Sequence, residues 1–220
     1  MKKEQNKEAL EHYQAIINWT LPGLTMFYRD TQQPKRIIEK YKVGQIFRSS
    51  TFVDVSNYAG KPTGNCRFII ASSKAAPIYK INKNTEKWRL HVLNCNSYFK
   101  VLDVFEEKDV IQIFLLHIPF QGIDLFRQIN LKMGSQNLEE QFIEKARISL
   151  RQKLAMEIPP PLLEIEWIKR TEIPIGLNSQ NEFLPLNPTE KLPLSVLPLY
   201  QAIQKMTNDL SGLNELVFEE

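Results

Sequence analysis

Glycine is scarce in this chain, with 8 residues in 220. Loops that approach a ligand through bare backbone lean on glycine, so the scarcity weighs against an enzyme with several such loops. Cysteine is scarcer still: Cys66 and Cys95 stand alone, and neither has a CxxC partner. That excludes a disulfide framework and leaves two reduced, partly buried thiols as the expectation. His12, His91 and His117 lie far apart, without the short ligand spacings of a zinc helix, so no metal site is expected. Nowhere does an apolar run approach the roughly eighteen residues a membrane helix needs. The stretch from Met1 to Glu8 is charged and polar where a secretion signal is hydrophobic. We therefore expect no membrane contact and a cytoplasmic location. Long basic runs are also missing, and 28 Lys and Arg stand against 25 Asp and Glu, which leaves no footprint for nucleic acid.

What the chain has is enough apolar mass, 43% of 220 residues, for a real core in one generous domain or two small ones. Lys3 to Asn18 reads as an opening helix, with Ala9, Leu10, Tyr13, Ile16 and Ile17 at helical spacing. Leu21-Pro22-Gly23 ends it. Thr25 to Arg29 reads as a buried strand, and Pro34 to Tyr41 as a short helix closed before Gly44. Further strands are expected at Gln45 to Val53, Cys66 to Ala71, Ile78 to Ile81, Trp88 to Leu93, Tyr98 to Phe105 and Val110 to Ile118. The last two flank the polar run Glu106-Glu107-Lys108-Asp109 and form a hairpin. Asn57 to Asn65 and Asn82 to Lys87 read as exposed loops.

After Ile118 the pattern changes. Leu138, Phe142, Ala146, Leu150 and Leu154 recur every four residues on a long amphipathic helix that Pro159-Pro160-Pro161 stops. Leu162 to Ile168 is a strand candidate, and a last helix runs from Leu197 to about Leu210. Eight of the thirteen prolines follow Glu157, which predicts extended segments laid across a neighbouring surface rather than a second sheet.

From Leu21-Pro22 onward the order of features resembles the arginine-type mono-ADP-ribosyltransferases, the clade built on an arginine, a serine motif and a glutamate. Tyr28-Arg29-Asp30 stands in the place of the family's Tyr-Arg step. Gly44 follows Ile37-Ile38-Glu39-Lys40-Tyr41, and Phe47-Arg48-Ser49-Ser50-Thr51 sits where the serine motif belongs. Ser97-Tyr98-Phe99-Lys100-Val101 and Val110 to Ile118 are similar to the closing strands. The resemblance covers about residues 10 to 118.

It implies an α+β fold with a split, mostly antiparallel sheet of the ADP-ribosyltransferase type over residues 1–120, behind an N-terminal helix. A helical and proline-rich region over 121–220 would pack on it or bind a partner. It also implies NAD as co-substrate, no metal, and a protein side chain as acceptor of ADP-ribose, with nicotinamide released. On this reading Arg29 holds cofactor phosphate or ribose oxygens through its planar fork, Ser49 fixes the nicotinamide ribose, and Tyr58 stacks on the nicotinamide ring. Arg29 and Ser49 would then lie side by side on adjacent strands lining a cleft.

The family's glutamate, which steadies the oxocarbenium-like charge, has no clear counterpart. Where it belongs the chain reads Trp88-Arg89-Leu90-His91-Val92-Leu93, and Glu86, a few residues early, is the catalytic candidate. If no acid enters the site, Arg89 or His91 takes its place and a cation opposes the developing positive charge. The fold would then persist as a degenerate, catalytically inactive interaction module, with its partner surface at Phe142, Leu150, Leu154 and Trp167. An unrelated α+β binding domain is the third reading.

Structural alternatives stand beside each site residue. Arg29 pairs with Asp30 or Glu39; Ser49, Ser50 and Thr51 are the polar alternation of a strand; Tyr58 seals a core edge; His91 and His117 are satisfied structural histidines.

Overall fold

In the computed structural model of the protein, residues 2–128, 132–133, 136–188, 191–209 and 217–219 are described. Helix α1 (Lys2–Thr20) leads into strand β1 (Thr25–Thr31) and the short helix α2 (Lys35–Ile38). Strands β2 (Ile46–Ser49), β3 (Val53–Ser56), β4 (Cys66–Ser72), β5 (Leu90–Leu93), β6 (Ser97–Glu107) and β7 (Val110–Ile118) follow. The chain then turns helical through α3 (Ile123–Gln128), α4 (Leu138–Leu154), α5 (Ile165–Thr171) and α6 (Leu197–Thr207). The architecture is α+β. Among the described residues the seven strands join in the order β2-β6-β7-β4-β1-β3-β5, and only the β4–β7 pair is parallel. A single register pair, Tyr28 with Ser56, holds β3 to β1, so the sheet divides into five strands and two, the expected split.

Period-two alternation sorts the side chains onto two faces. Phe27, Phe68, Ile70, Phe99, Val101, Ile113 and Leu115 build one core with Ile37, Ile38 and Tyr41 around α2. Tyr28, Ile69, Ala71, Tyr98, Phe114 and Leu116 build the other beneath α4, with Ala146 and Leu150. Arg147 clamps α4 to β6 through a bidentate pair with Asp103, at 2.6 and 2.8 Å.

Several sequence expectations change. Gln45 to Val53 is not one strand, because the chain breaks after Ser49 and restarts at Val53 on the far side of the sheet, where β3 pairs with β5. Ile78 to Ile81 is a turn of 3₁₀ helix behind Pro77, and only Ala76 bridges to Val92. Asn82 to Lys87 is ordered as a second such turn, Lys83–Trp88, which the Asn82 side chain caps at Asn84 N, 3.1 Å away. Leu162 to Ile168 is helical rather than a strand. Pro160 starts a 3₁₀ turn, and α5 turns Trp167 and Thr171, four residues apart, into the interior.

Leu150, Leu154 and Trp167, expected on a partner surface, are buried within this chain, as is Ala146. The side chains of Ala9, Leu138 and Phe142, and the end of the expected last helix at Leu210, lie outside the described residues. On α1 only Ile16 is buried among the apolar positions that are described, whereas Leu10 and Tyr13 are exposed.

Both thiols are buried, and burial pushes each up to about 12, so neither is a nucleophile at neutral pH. His117 is fully enclosed, with Nδ1 2.9 Å from Ser72 Oγ and its ring against Trp19 and Phe99. Burial, reinforced by the Lys74 cation, pulls its pKa down to about 3. The folded state thus disfavours the proton that the unfolded chain accepts near its ordinary value of 6.5. Stability from this residue is complete above 6.5 and is lost as pH falls from there toward 3. We predict that unfolding free energy measured in urea falls more steeply for the parent than for His117→Gln below pH 6.5. The excess slope should reach up to about 1.4 kcal/mol per pH unit, one proton's worth. Parallel curves for the two proteins would rule this out.

Candidate functional site

A concavity of about 850 Å³ opens between the sheet and residues 172–184. Arg29, Gln32 and Gln33 line one side, the bend Ser49 to Val53 another, and Arg170 with the segment Glu172 to Ser179 the third. Arg29 and Ser49 thus share one cavity. They are not on neighbouring strands, because β6, β7 and β4 intervene between β2 and β1. The bend after β2 carries Ser49 to the cavity instead. Ser49 is buried, and its Oγ donates to Thr51 O at 3.2 Å, holding the bend closed.

Arg29 is buried on the α2 face of β1. Its Nη1 donates to Asp54 O at 3.0 Å and its Nη2 to Ile173 O at 2.7 Å, while Nε has no partner among the described residues. Burial lowers its pKa to about 10, opposed by the nearby Asp54 carboxylate. Neither Asp30 nor Glu39 is its partner. Asp30, one residue on, faces the opposite side of the sheet and is taken by Arg67 Nε and Nη2, at 2.6 and 2.8 Å. The Asp54 carboxylate goes to Arg170 Nη1 at 3.0 Å.

The other wall was not foreseen residue by residue. From Glu172 to Leu186 the chain lies across the sheet as a strap whose main-chain carbonyls are claimed by side chains beneath. Thr31 Oγ1 donates to Glu172 O at 2.9 Å, Tyr41 Oη to Ile175 O at 2.7 Å, Arg48 Nε to Pro185 O at 2.9 Å and Tyr98 Oη to Leu186 O at 2.9 Å. A small hairpin, bridged between Leu177 and Phe183, packs Phe183 on the rings of Tyr41 and Phe47. The run of late prolines was the available signal, and the extended segments it predicted are these.

Tyr58 and Glu86 are not among the residues lining the cavity. Tyr58 packs beside the cluster of Trp88, Leu90, Leu162 and Trp167, with the guanidinium of Arg89 over its ring at 6.0 Å. Glu86 is exposed on the Lys83–Trp88 turn. Glu172 is the one carboxylate among the lining residues. His91 is a satisfied histidine on β5, with Nδ1 2.8 Å from Arg89 O. Burial lowers its pKa, and the Arg89 and Lys80 cations add to the effect. No group of three or more metal-ligating side chains forms among the described residues.

No protein-family model and no curated protein matches the chain. Among solved structures it is similar to an ADP-ribosyltransferase of Pseudomonas syringae, at 15% identity over 43% of this chain and 45% of that one, with a TM-score of 0.39. Exoenzyme S of Pseudomonas aeruginosa, solved with human 14-3-3 protein beta and carba-NAD, is 13% identical over 59% of this chain and 62% of its own, with a TM-score of 0.41. The Vis toxin, an ADP-ribosyltransferase of Vibrio splendidus, is 13% identical over 43% and 48%, with a TM-score of 0.35. The chain spans less than two thirds of the length of each. Two of these three are ADP-ribosyltransferases, the family that the sequence motifs resemble.

The strap's close seat rests on Gly176. Its φ is +82°, and a Cβ there would lie 2.3 Å from Phe47 Cδ2. Gly44, at φ +84°, has open space where its Cβ would be. Gly44→Ala should therefore cost roughly 1 kcal/mol, the left-handed backbone penalty alone. Gly176→Ala should cost about 2–4 kcal/mol, because ring and strap must also move apart. Urea denaturation of both variants measures the difference, and equal losses would show that the strap is not tightly seated.

Proposed function

We propose that the chain is an ADP-ribosyltransferase-like protein without transferase chemistry, a catalytically inactive interaction module built on that fold. The observation that carries this reading is the state of Arg29. The guanidinium expected to grip NAD is buried, with two of its donors already bonded to Asp54 O and Ile173 O. Those two donors could turn to NAD phosphates only if the strap gave up Ile173 O, with a buried carbonyl left unsatisfied. Two further observations agree. Tyr58, the expected stacking platform, carries a cation on its ring, and Glu86 stands outside the cavity. A cation in place of the acid opposes the charge that develops as the glycosidic bond of NAD breaks.

The module reading divides the chain at residue 120, with the later region as the contact surface for a protein partner. Its support is the set of exposed apolar side chains Leu163, Ile165, Ile168 and Ile173, which takes over from the buried Leu150, Leu154 and Trp167.

A second reading keeps the enzyme. Arg29 and Ser49 share a cavity of about 850 Å³, room for a ligand of NAD's size, with the carboxylate of Glu172 at its edge. That enzyme would transfer ADP-ribose from NAD to a protein side chain and release nicotinamide.

Calorimetric titration with NAD, followed by a nicotinamide-release assay, decides between them. We expect no release above the buffer rate from the parent protein. Arg29→Ala should instead cost about 2–4 kcal/mol of stability in urea, since it orphans two carbonyls and empties a buried site. Release that depends on protein concentration and disappears in Arg29→Ala and Glu172→Gln would overturn the inactive reading and establish the enzyme.

A further inference from the structure

Arg89 differs from the other well-placed arginines of this protein. Arg29, Arg67, Arg147, Arg151 and Arg170 each have an acceptor. The Arg89 side chain is half-buried and donates no hydrogen bond to, and forms no ion pair with, the described residues; its contacts are with rings. Its guanidinium carbon lies 5.2 Å from the centroid of the Tyr79 ring and 6.0 Å from that of Tyr58. A cation–π contact attracts the guanidinium without using its N–H donors, which stay free to bond a ligand.

The backbone is strained at the same residue. Arg89 has φ +49°, in the left-handed region, and its N–H closes the preceding turn on Glu86 O at 2.8 Å. A branched-chain or long residue there costs roughly 1 kcal/mol that glycine or asparagine would avoid. Strain of this kind collects where a side chain is needed in one place. Nearby cations are already matched: Lys87 lies 2.5 Å from Glu164, and Arg170 is on Asp54. Lys80, next to Tyr79, adds its charge to that of Arg89 at the buried edge of His91. The place is therefore a half-buried cation over the rings of Tyr79 and Tyr58, with no acceptor for its donors among the described residues.

We propose that Arg89, between Tyr58 and Tyr79, is an anion-binding site that takes the head of a phosphate monoester. A phosphate oxygen pair matches the guanidinium fork in a bidentate, charge-assisted contact. The tyrosine rings would flank whatever the phosphate is esterified to. The site lies apart from the cavity of Arg29 and Ser49 and does not depend on whether NAD binds there.

The test is calorimetric titration of the full chain with inorganic phosphate, phenyl phosphate and AMP in phosphate-free buffer, repeated on Arg89→Asn, Arg89→Lys and Arg29→Ala. Asparagine tolerates the left-handed backbone, so Arg89→Asn removes the charge without a folding penalty, and an unchanged melting temperature will confirm that. We expect saturable binding by the parent, at least tenfold weaker in Arg89→Asn and partly restored in Arg89→Lys. Tighter binding of phenyl phosphate than of inorganic phosphate would assign an aryl ester to the site, and tighter binding of AMP a nucleotide. Absence of saturable binding of all three, or binding that survives Arg89→Asn and is lost in Arg29→Ala, would overturn the proposal.

Discussion

An extended, proline-punctuated segment cannot satisfy its own carbonyls, and that constraint organises this molecule. Prolines at 174 and 185 deny the strap the N–H groups of a regular ladder, so its buried carbonyls need donors from elsewhere. The sheet supplies them from side chains. Thr31, Arg29, Tyr41, Arg48 and Tyr98 each reach a different carbonyl between Glu172 and Leu186. The donors come from β1, β2, β6 and the residues after α2, so the strap ties together strands from both ends of the five-strand part of the sheet. The rings of Tyr41, Phe47 and Phe183 fill the space between.

The same bonding sets the character of the cavity. A guanidinium that bridges two main-chain carbonyls in a dry place is a structural group, and burial has already brought its pKa down to about 10. For a polyanionic ligand to use that fork, its own bonds must replace those of the strap and leave no carbonyl bare. Tyr41, with its hydroxyl on Ile175 O and its pKa raised by burial, is fixed in the same way.

Much of the fold was legible in the chain. The β6–β7 hairpin announced itself by two apolar runs around Glu106 to Asp109, and α4 by a four-residue stripe. Local pattern is enough for such elements because the partner lies next in sequence. Failures came where local pattern and tertiary placement part. Gln45 to Val53 reads like one strand, but Ile46–Ser49 pairs with β6 while Val53 begins a strand paired with β5, and nothing local marks the crossing at Ser50 to Phe52. Leu162 to Ile168 is short and apolar, so its period was ambiguous until Trp167 and Thr171 met the core. The pairing of Arg67 rather than Arg29 with Asp30 follows from strand alternation, but only once β4 is known to lie beside β1. The strap was legible in its prolines, its route was not, and the donors it captures lie about 90 to 145 residues away in sequence.

Two arginines then carry opposite fates from one cause, the local supply of acceptors. Arg29 points toward a segment with carbonyls to spare and is absorbed into the fold. Arg89 stands just before β5 at φ +49°, where its guanidinium lies over the rings of Tyr79 and Tyr58 with no acceptor among the described residues. Rings attract a cation but do not neutralise it, so an anion of suitable shape meets no competitor there. On the inactive reading proposed above, a cation at this end of the strand stands where cleavage of the glycosidic bond calls for negative charge.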